Sequence, residues 1–180
     1  MDFSIKTFDA KSTVNAAKTG CVVVGVFENK KLTPSATALD KKGQITAALK
    51  AGDISGKAGS SLLLRNVSDI AAERVLLVGL GEEATIVTEK AYTQAAQVSA
   101  KSLASLGATD AIIALPAVKG RDNAWAIRTV VLAFRESIFR ADGMKSKKDT
   151  ATNGVKKVAF GVVASEAAAA KVALAQSVAL

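Results

Sequence analysis

Apolar residues in this chain fall into short continuous runs separated by longer stretches of helical spacing. Six runs read as strands: Phe3–Phe8, Cys21–Phe27, Ser61–Arg65, Arg74–Gly79, Ala111–Leu115 and Val155–Val163. The central ones, CVVVGVF and RVLLVG, are apolar almost throughout and rich in Val or Leu. That is the pattern of strands covered on both faces. Val75 to Val78 is therefore expected to be interior.

Between the strands the period becomes helical. From Thr88 to Leu106, residues Ala91, Ala95, Val98 and Leu106 share a face and Leu103 widens it. Thr88 is a candidate N-cap there, and Gly107 a candidate C′ residue. From Asp122 to Arg140, Ile127, Val130, Val131, Phe134 and Ile138 recur at helical spacing. Trp125 and Phe139 broaden that stripe and read as core rather than as a ligand platform. A shorter helix is predicted over Leu39–Ala51, stopped by Gly52. Ser165 and Glu166 open an alanine-rich helix that is still running at Leu180, with Ala168, Val172, Ala175 and Ala179 on one face. The charged stretch Asp142–Gly154 reads as a mobile loop. Strands alternating with helices predict a three-layer α/β sandwich around a mixed, largely parallel sheet.

Composition narrows this picture. A length of 180 residues suits one domain with room for the start of a second. Apolar residues make up 49% but aromatics only 4%, so the core must come from Val, Leu, Ile and Ala. No apolar run approaches the roughly 18–20 residues that span a bilayer, and MDFSIKTFD lacks the features of a signal peptide. The single cysteine, Cys21, lies inside an apolar run and cannot form an internal disulfide, which fits a reducing cytoplasm. The formal charge of +8 raises nucleic-acid binding. The bases are scattered, with no arginine-rich block. Lys145, Lys147 and Lys148 form the best candidate group for phosphate contact, since they cluster in the expected loop.

Much chemistry is excluded by what the chain lacks. It contains no histidine, which removes Ser-His-Asp and Cys-His systems and the common zinc sites. The acids are dispersed, and no P-loop occurs. RVLLVGLGEEA fits G-x-G-x-x-A, a form of the dinucleotide fingerprint. However, Glu82 and Glu83 would repel a phosphate at that turn, and the next helix is predicted to begin only near Thr88. No acid lies between Val98 and Gly107 to hold a ribose. The glycines read instead as a sharp turn at the sheet edge.

One resemblance accounts for that stretch. LDKKGQITAALKAGDISGKAGSSLLLRNVSDIAAERVLLVGLGEE, residues 39–83, resembles the N-terminal domain of the cytosol (leucyl) aminopeptidase family. The family's L-D…G…I…L…G-D-x-x-G-K-x-G segment is followed by a leucine-rich strand and R-V-L-L-V-G-L-G. KGRDNAWAIR at 119–128 and FRADGMKSKK at 139–148 are similar to later segments in the same order. The resemblance implies a macro-domain-like sandwich over residues 1–164. It implies that residues 165–180 begin a linker helix to a C-terminal catalytic domain. It further implies a cytoplasmic, hexameric metallo-exopeptidase as the parent protein, with two divalent ions, zinc or manganese, in that other domain. The family's N-T-D-A-E-G-R-L signature does not occur here, so no catalytic, cofactor or metal residue carries over to any position. The domain's expected role is to support hexamer assembly and limit active-site access. Two alternatives stand beside it: a DNA-binding module acting through surface lysines, and a macro-like domain that binds a nucleotide or ADP-ribose.

Overall fold

The computed structural model describes residues 1–10, 13–82, 87–144 and 154–179. Six strands form one sheet: β1 (Asp2–Phe8), β2 (Cys21–Val26), β3 (Ser61–Arg65), β4 (Arg74–Gly79), β5 (Asp110–Ala114) and β6 (Lys157–Val163). Their order is β1-β6-β5-β2-β4-β3. All neighbours are parallel except β3, which runs antiparallel to β4. Each strand coincides with a predicted run to within a residue or two.

The most apolar strands sit where burial is greatest. All six residues of β2 are buried, as are Val75 to Val78 of β4. Alternate side chains serve opposite faces, as the pleat requires. Cys21, Val23, Leu76, Val78 and Ile113 enter one core, and Val22, Val24, Val75, Leu77 and Ile112 enter the other. The first core is closed by α3 (Glu89–Ala104), α4 (Asn123–Met144) and α5 (Ala167–Ala179). The second is closed by a 3-10 turn at Val14–Ala16 and by α1 (Pro34–Leu39) and α2 (Gln44–Ala51). The result is the expected three-layer α/β sandwich.

The helices differ from expectation in ways that local chemistry explains. The single helix over Leu39–Ala51 is two helices. Thr33 accepts a hydrogen bond from Ala36 N at 3.3 Å and Pro34 occupies the first turn, so α1 begins early and ends at Leu39. Asp40 then accepts from Ile45 N at 2.8 Å, and Gly43 takes a left-handed φ of 71°, which starts α2 afresh. Gly52 ends α2 as predicted, with φ 79°. Thr88 caps α3 through Ala91 N at 3.1 Å. The helix stops at Ala104 with Ser105 as cap, and Gly107 is not left-handed, so it is not the C′ residue.

α4 runs to Met144 and takes in Asp142 and Gly143 of the expected loop. Residues 145–153, the greater part of that loop, lie outside the described residues. The buried stripe of α4 ends at Phe134. Ile138 is 38% exposed and Phe139 79% exposed, so Phe139 is not core. Trp125 is half-buried against Tyr92, their ring centroids 5.5 Å apart. In α5 the buried residues are Ala170, Ala173, Leu174 and Ser177, whereas Ala168, Val172, Ala175 and Ala179 are exposed. The predicted apolar face is thus the outer one, and a second apolar face packs inward.

Candidate functional site

Ligands of open α/β sheets bind at the carboxyl ends of the parallel strands, so the ends of β2 and β4 are the first place to look. Four glycines gather there: Gly25, Gly56, Gly79 and Gly81. Gly56 and Gly81 are left-handed, with φ of 86° and 90°. A Cβ at Gly56 would lie 2.5 Å from the Phe27 carbonyl, and one at Gly79 would overlap the Lys57 carbonyl oxygen. One at Gly25 would overlap the Leu80 side chain. The glycines therefore let the 56–60 loop and Leu80 close onto the strand ends. The left-handed Gly81 follows β4, which lies inside the sheet, between β2 and β3, and not at its edge. Close approach, rather than an edge position, is what Gly79 serves.

This closure engages the groups that a phosphate would need. Gly79 N donates to Ser60 O at 2.8 Å, Leu80 N to Val26 O at 2.9 Å, and Gly81 N to Gly56 O at 3.0 Å. Leu80 and Phe27 are each 2% exposed and fill the crevice with hydrocarbon. The dinucleotide-like turn thus offers no free N–H at any of its first three positions. At the ends of β5 and β6, the cavity beside Tyr92, Pro116, Asn123 and Phe160 holds about 30 Å³, the room of a single water.

Larger hollows lie elsewhere. An open cleft of about 540 Å³ borders the amino ends of β2, β4 and β5. Its polar groups bond to one another. Asp110 accepts from Gly20 N at 3.0 Å and from Thr19 Oγ1 at 2.8 Å, and Arg74 donates to Gly20 O at 3.2 Å. Arg74 Nε is buried without a partner. Cys21 lies beneath, and burial pushes its thiol from 9.0 up to about 12, so it is no nucleophile at neutral pH. A groove of about 600 Å³ runs between α3 and α4, past Gln94, Gln97, Lys101, Glu136 and Arg140. Neither hollow joins a nucleophile to a base.

No group of three His, Cys, Asp or Glu among the described residues could hold a metal. Lys145, Lys147 and Lys148, the candidate nucleic-acid contacts, lie outside the described residues. The segments that carried the resemblance have other tasks. Leu39 and Ile45 are core, and Asp40 caps α2. Asp122 caps Trp125 N at 3.0 Å at the start of α4, and Asn123 donates to Glu166 at 2.7 Å. These are architectural contacts, which spacing alone did not distinguish from binding ones.

Fold and hydrogen bonding together define, among the described residues, a macro-domain-like α/β unit in which the 56–60 loop and Leu80 pack onto the ends of β2 and β4. The Trypanosoma brucei macrodomain solved with ADP-ribose is similar in fold, with a TM-score of 0.62 and 12% identity over 98% of this chain and 68% of that one. A tomato leucine aminopeptidase mutant matches with a TM-score of 0.69 and 19% identity, over 98% of this chain and 35% of that one. Residues 23–148 match the profile of the cytosol aminopeptidase family, N-terminal domain. A probable cytosol aminopeptidase of Herminiimonas arsenicoxydans is 60% identical over 99% of this chain and 36% of its own length. The chain belongs to the cytosol aminopeptidase family and corresponds to its N-terminal domain. It spans little more than a third of the length of the curated relatives it matches.

Proposed function

We propose that this domain is the non-catalytic partner of a metal-dependent leucyl aminopeptidase domain, and that it supports hexamer assembly and access to the active sites. The parent would be a cytoplasmic exopeptidase that releases N-terminal residues from peptides. Its two divalent ions, zinc or manganese, would be held entirely by the other domain. Among the described residues no helix is long and apolar enough to cross a membrane.

The observation that carries this reading is α5. A helix that is apolar on all sides belongs inside a protein. α5 buries Ala170, Ala173 and Leu174 against this domain and also exposes Ala168, Ala169, Val172, Ala175, Val178 and Ala179. Lys171 and Gln176 are the polar residues of that outer surface. Beside it, α4 exposes Leu132 at 56% and Phe139 at 79%. Arg135 fixes the two helices together by donating to Val178 O at 2.6 Å. A catalytic domain seated here would cover the apolar surface and orient the linker.

The test uses the C-terminal two-thirds of the Herminiimonas relative, expressed separately and mixed with this chain. Binding that weakens at least tenfold on Val172→Glu or Phe139→Glu supports the assignment. Binding indifferent to both substitutions, or absent, counts against it. A second reading, contact with DNA through Lys145, Lys147 and Lys148, rests on the net charge of +8.

A further inference from the structure

The sheet has two edges, and they are protected differently. β1 exposes Asp2, Ser4 and Lys6 on one face, and charged side chains are a usual guard against edge-to-edge pairing. β3 reads SLLLR, with no proline, lysine or acid. Its register with β4 runs unbroken from Ser61↔Val78 to Arg65↔Arg74, so no bulge twists it away. Among the described residues it is the last strand of the sheet. Beside it, on the α3 side, a cavity of about 210 Å³ is lined by leucines 62, 63, 76, 103 and 106 with Ser61 and Ser102.

The register fixes which main-chain groups face outward. Gly79 N donates to Ser60 O, so Ser60–Gly79, Leu62–Leu77 and Leu64–Val75 are the hydrogen-bonded pairs. The N–H and C=O groups of Ser61, Leu63 and Arg65 therefore point away from the sheet.

We propose that this edge pairs antiparallel with the same edge of a second copy, about a two-fold axis through Leu63. In that register Leu63 exchanges both its outward hydrogen bonds with Leu63 of the other copy. Ser61 and Arg65 exchange theirs with Arg65 and Ser61, so every outward group of the strand is paired. Leu62 lies opposite Leu64, and both Leu63 side chains stay on the α3 face, over the leucine-lined cavity. The charges fit as well. Arg65 is the strand's one charge and meets neutral Ser61, so no like charges oppose each other. A shift of two residues leaves outward groups unpaired and sets Leu63 against Arg65 in one direction and against Ser61 in the other. A strand from another protein would gain hydrogen bonds, but this self-complementary register selects a second copy.

The pairing does not depend on a catalytic domain, so the 180-residue chain alone tests it. Sedimentation equilibrium should detect a monomer–dimer equilibrium at concentrations up to the millimolar. Ser61 is exposed and on the outer edge, so its replacement leaves the monomer folded. Ser61→Lys sets Lys against Arg65 at both ends of the pairing and should weaken the dimer about tenfold. Ser61→Glu sets up two opposite-charge pairs and should tighten it by a similar factor. Exchange of the Leu63 amide should slow as concentration rises. A chain that stays monomeric throughout overturns the proposal. So does a dimer that neither substitution moves, since that dimer would use another face, such as the outer side of α5.

Discussion

Replacing Gly79 with Ala tests how tightly the 56–60 loop closes on the strand ends. Gly79 does not have a left-handed φ, so the substitution brings no backbone strain and the cost is steric. The new Cβ would overlap the Lys57 carbonyl oxygen and Ser60 Oγ and lie 2.7 Å from the Gly56 carbonyl carbon. Two of these three atoms are backbone, so the loop must retreat by on the order of 1 Å to restore ordinary contact. That movement stretches Gly79 N→Ser60 O from 2.8 Å and Gly81 N→Gly56 O from 3.0 Å, both beyond useful length. Overpacking costs roughly 1–3 kcal/mol and each of the two weakened hydrogen bonds about 1 kcal/mol, so we expect a loss of about 3–5 kcal/mol. For a domain of this size that corresponds to a fall in melting temperature of roughly 6–20 °C. Urea unfolding of Gly79→Ala measures it, with Gly107→Ala as control. At Gly107 a Cβ would meet only Arg74 Nη2, at 3.8 Å, and we expect a change within about 1 kcal/mol. Equal stability of Gly79→Ala and the parent would refute the closed-loop account.

Three further outcomes follow. Leu77→Asp places a carboxylate at a fully buried position of β4, and should cost several kcal/mol or leave the chain insoluble. A normal melting curve for this variant would contradict the interior assignment. Burial raises the Cys21 thiol from 9.0 to about 12, so above pH 9 the unfolded chain loses this proton while the folded chain keeps it. Stability should therefore decline from pH 9 toward pH 12, and Cys21→Ala should flatten that decline; an unchanged slope in chemical denaturation would show the thiol is not shielded. If Lys145, Lys147 and Lys148 bind duplex DNA, replacing all three should reduce the log-affinity against log-salt slope by about 2.7, and a parent chain that does not bind at low salt removes the role.

The sheet was readable because its strands are buried. Continuous Val and Leu runs such as CVVVGVF admit few other placements, and all six strands lie where the apolar runs put them. The helices were less legible where small residues dominate. In α5 the alanines give no amphipathic contrast, so Ala168, Val172, Ala175 and Ala179 looked like a buried face although Ala170, Ala173 and Leu174 occupy it. Phe139 was misplaced because periodicity continues past Phe134 while the sheet beneath does not require it. The signal for α1 was present in Thr33 and Pro34, a cap followed by a first-turn proline. Of the glycine cluster, only Gly79 and Gly81 carried a local signal, that of a sharp turn. The cluster's main purpose, room for a loop remote in sequence, depends on tertiary contacts that no local pattern carries.

The most direct test of the non-catalytic role is hydrolysis of a leucine chromogenic substrate by the purified 180-residue chain with added manganese or zinc. With no metal-binding group among the described residues, turnover should not exceed that of buffer and metal alone. Turnover that follows the chain through successive purification steps would contradict the account and place a catalytic site within these 180 residues.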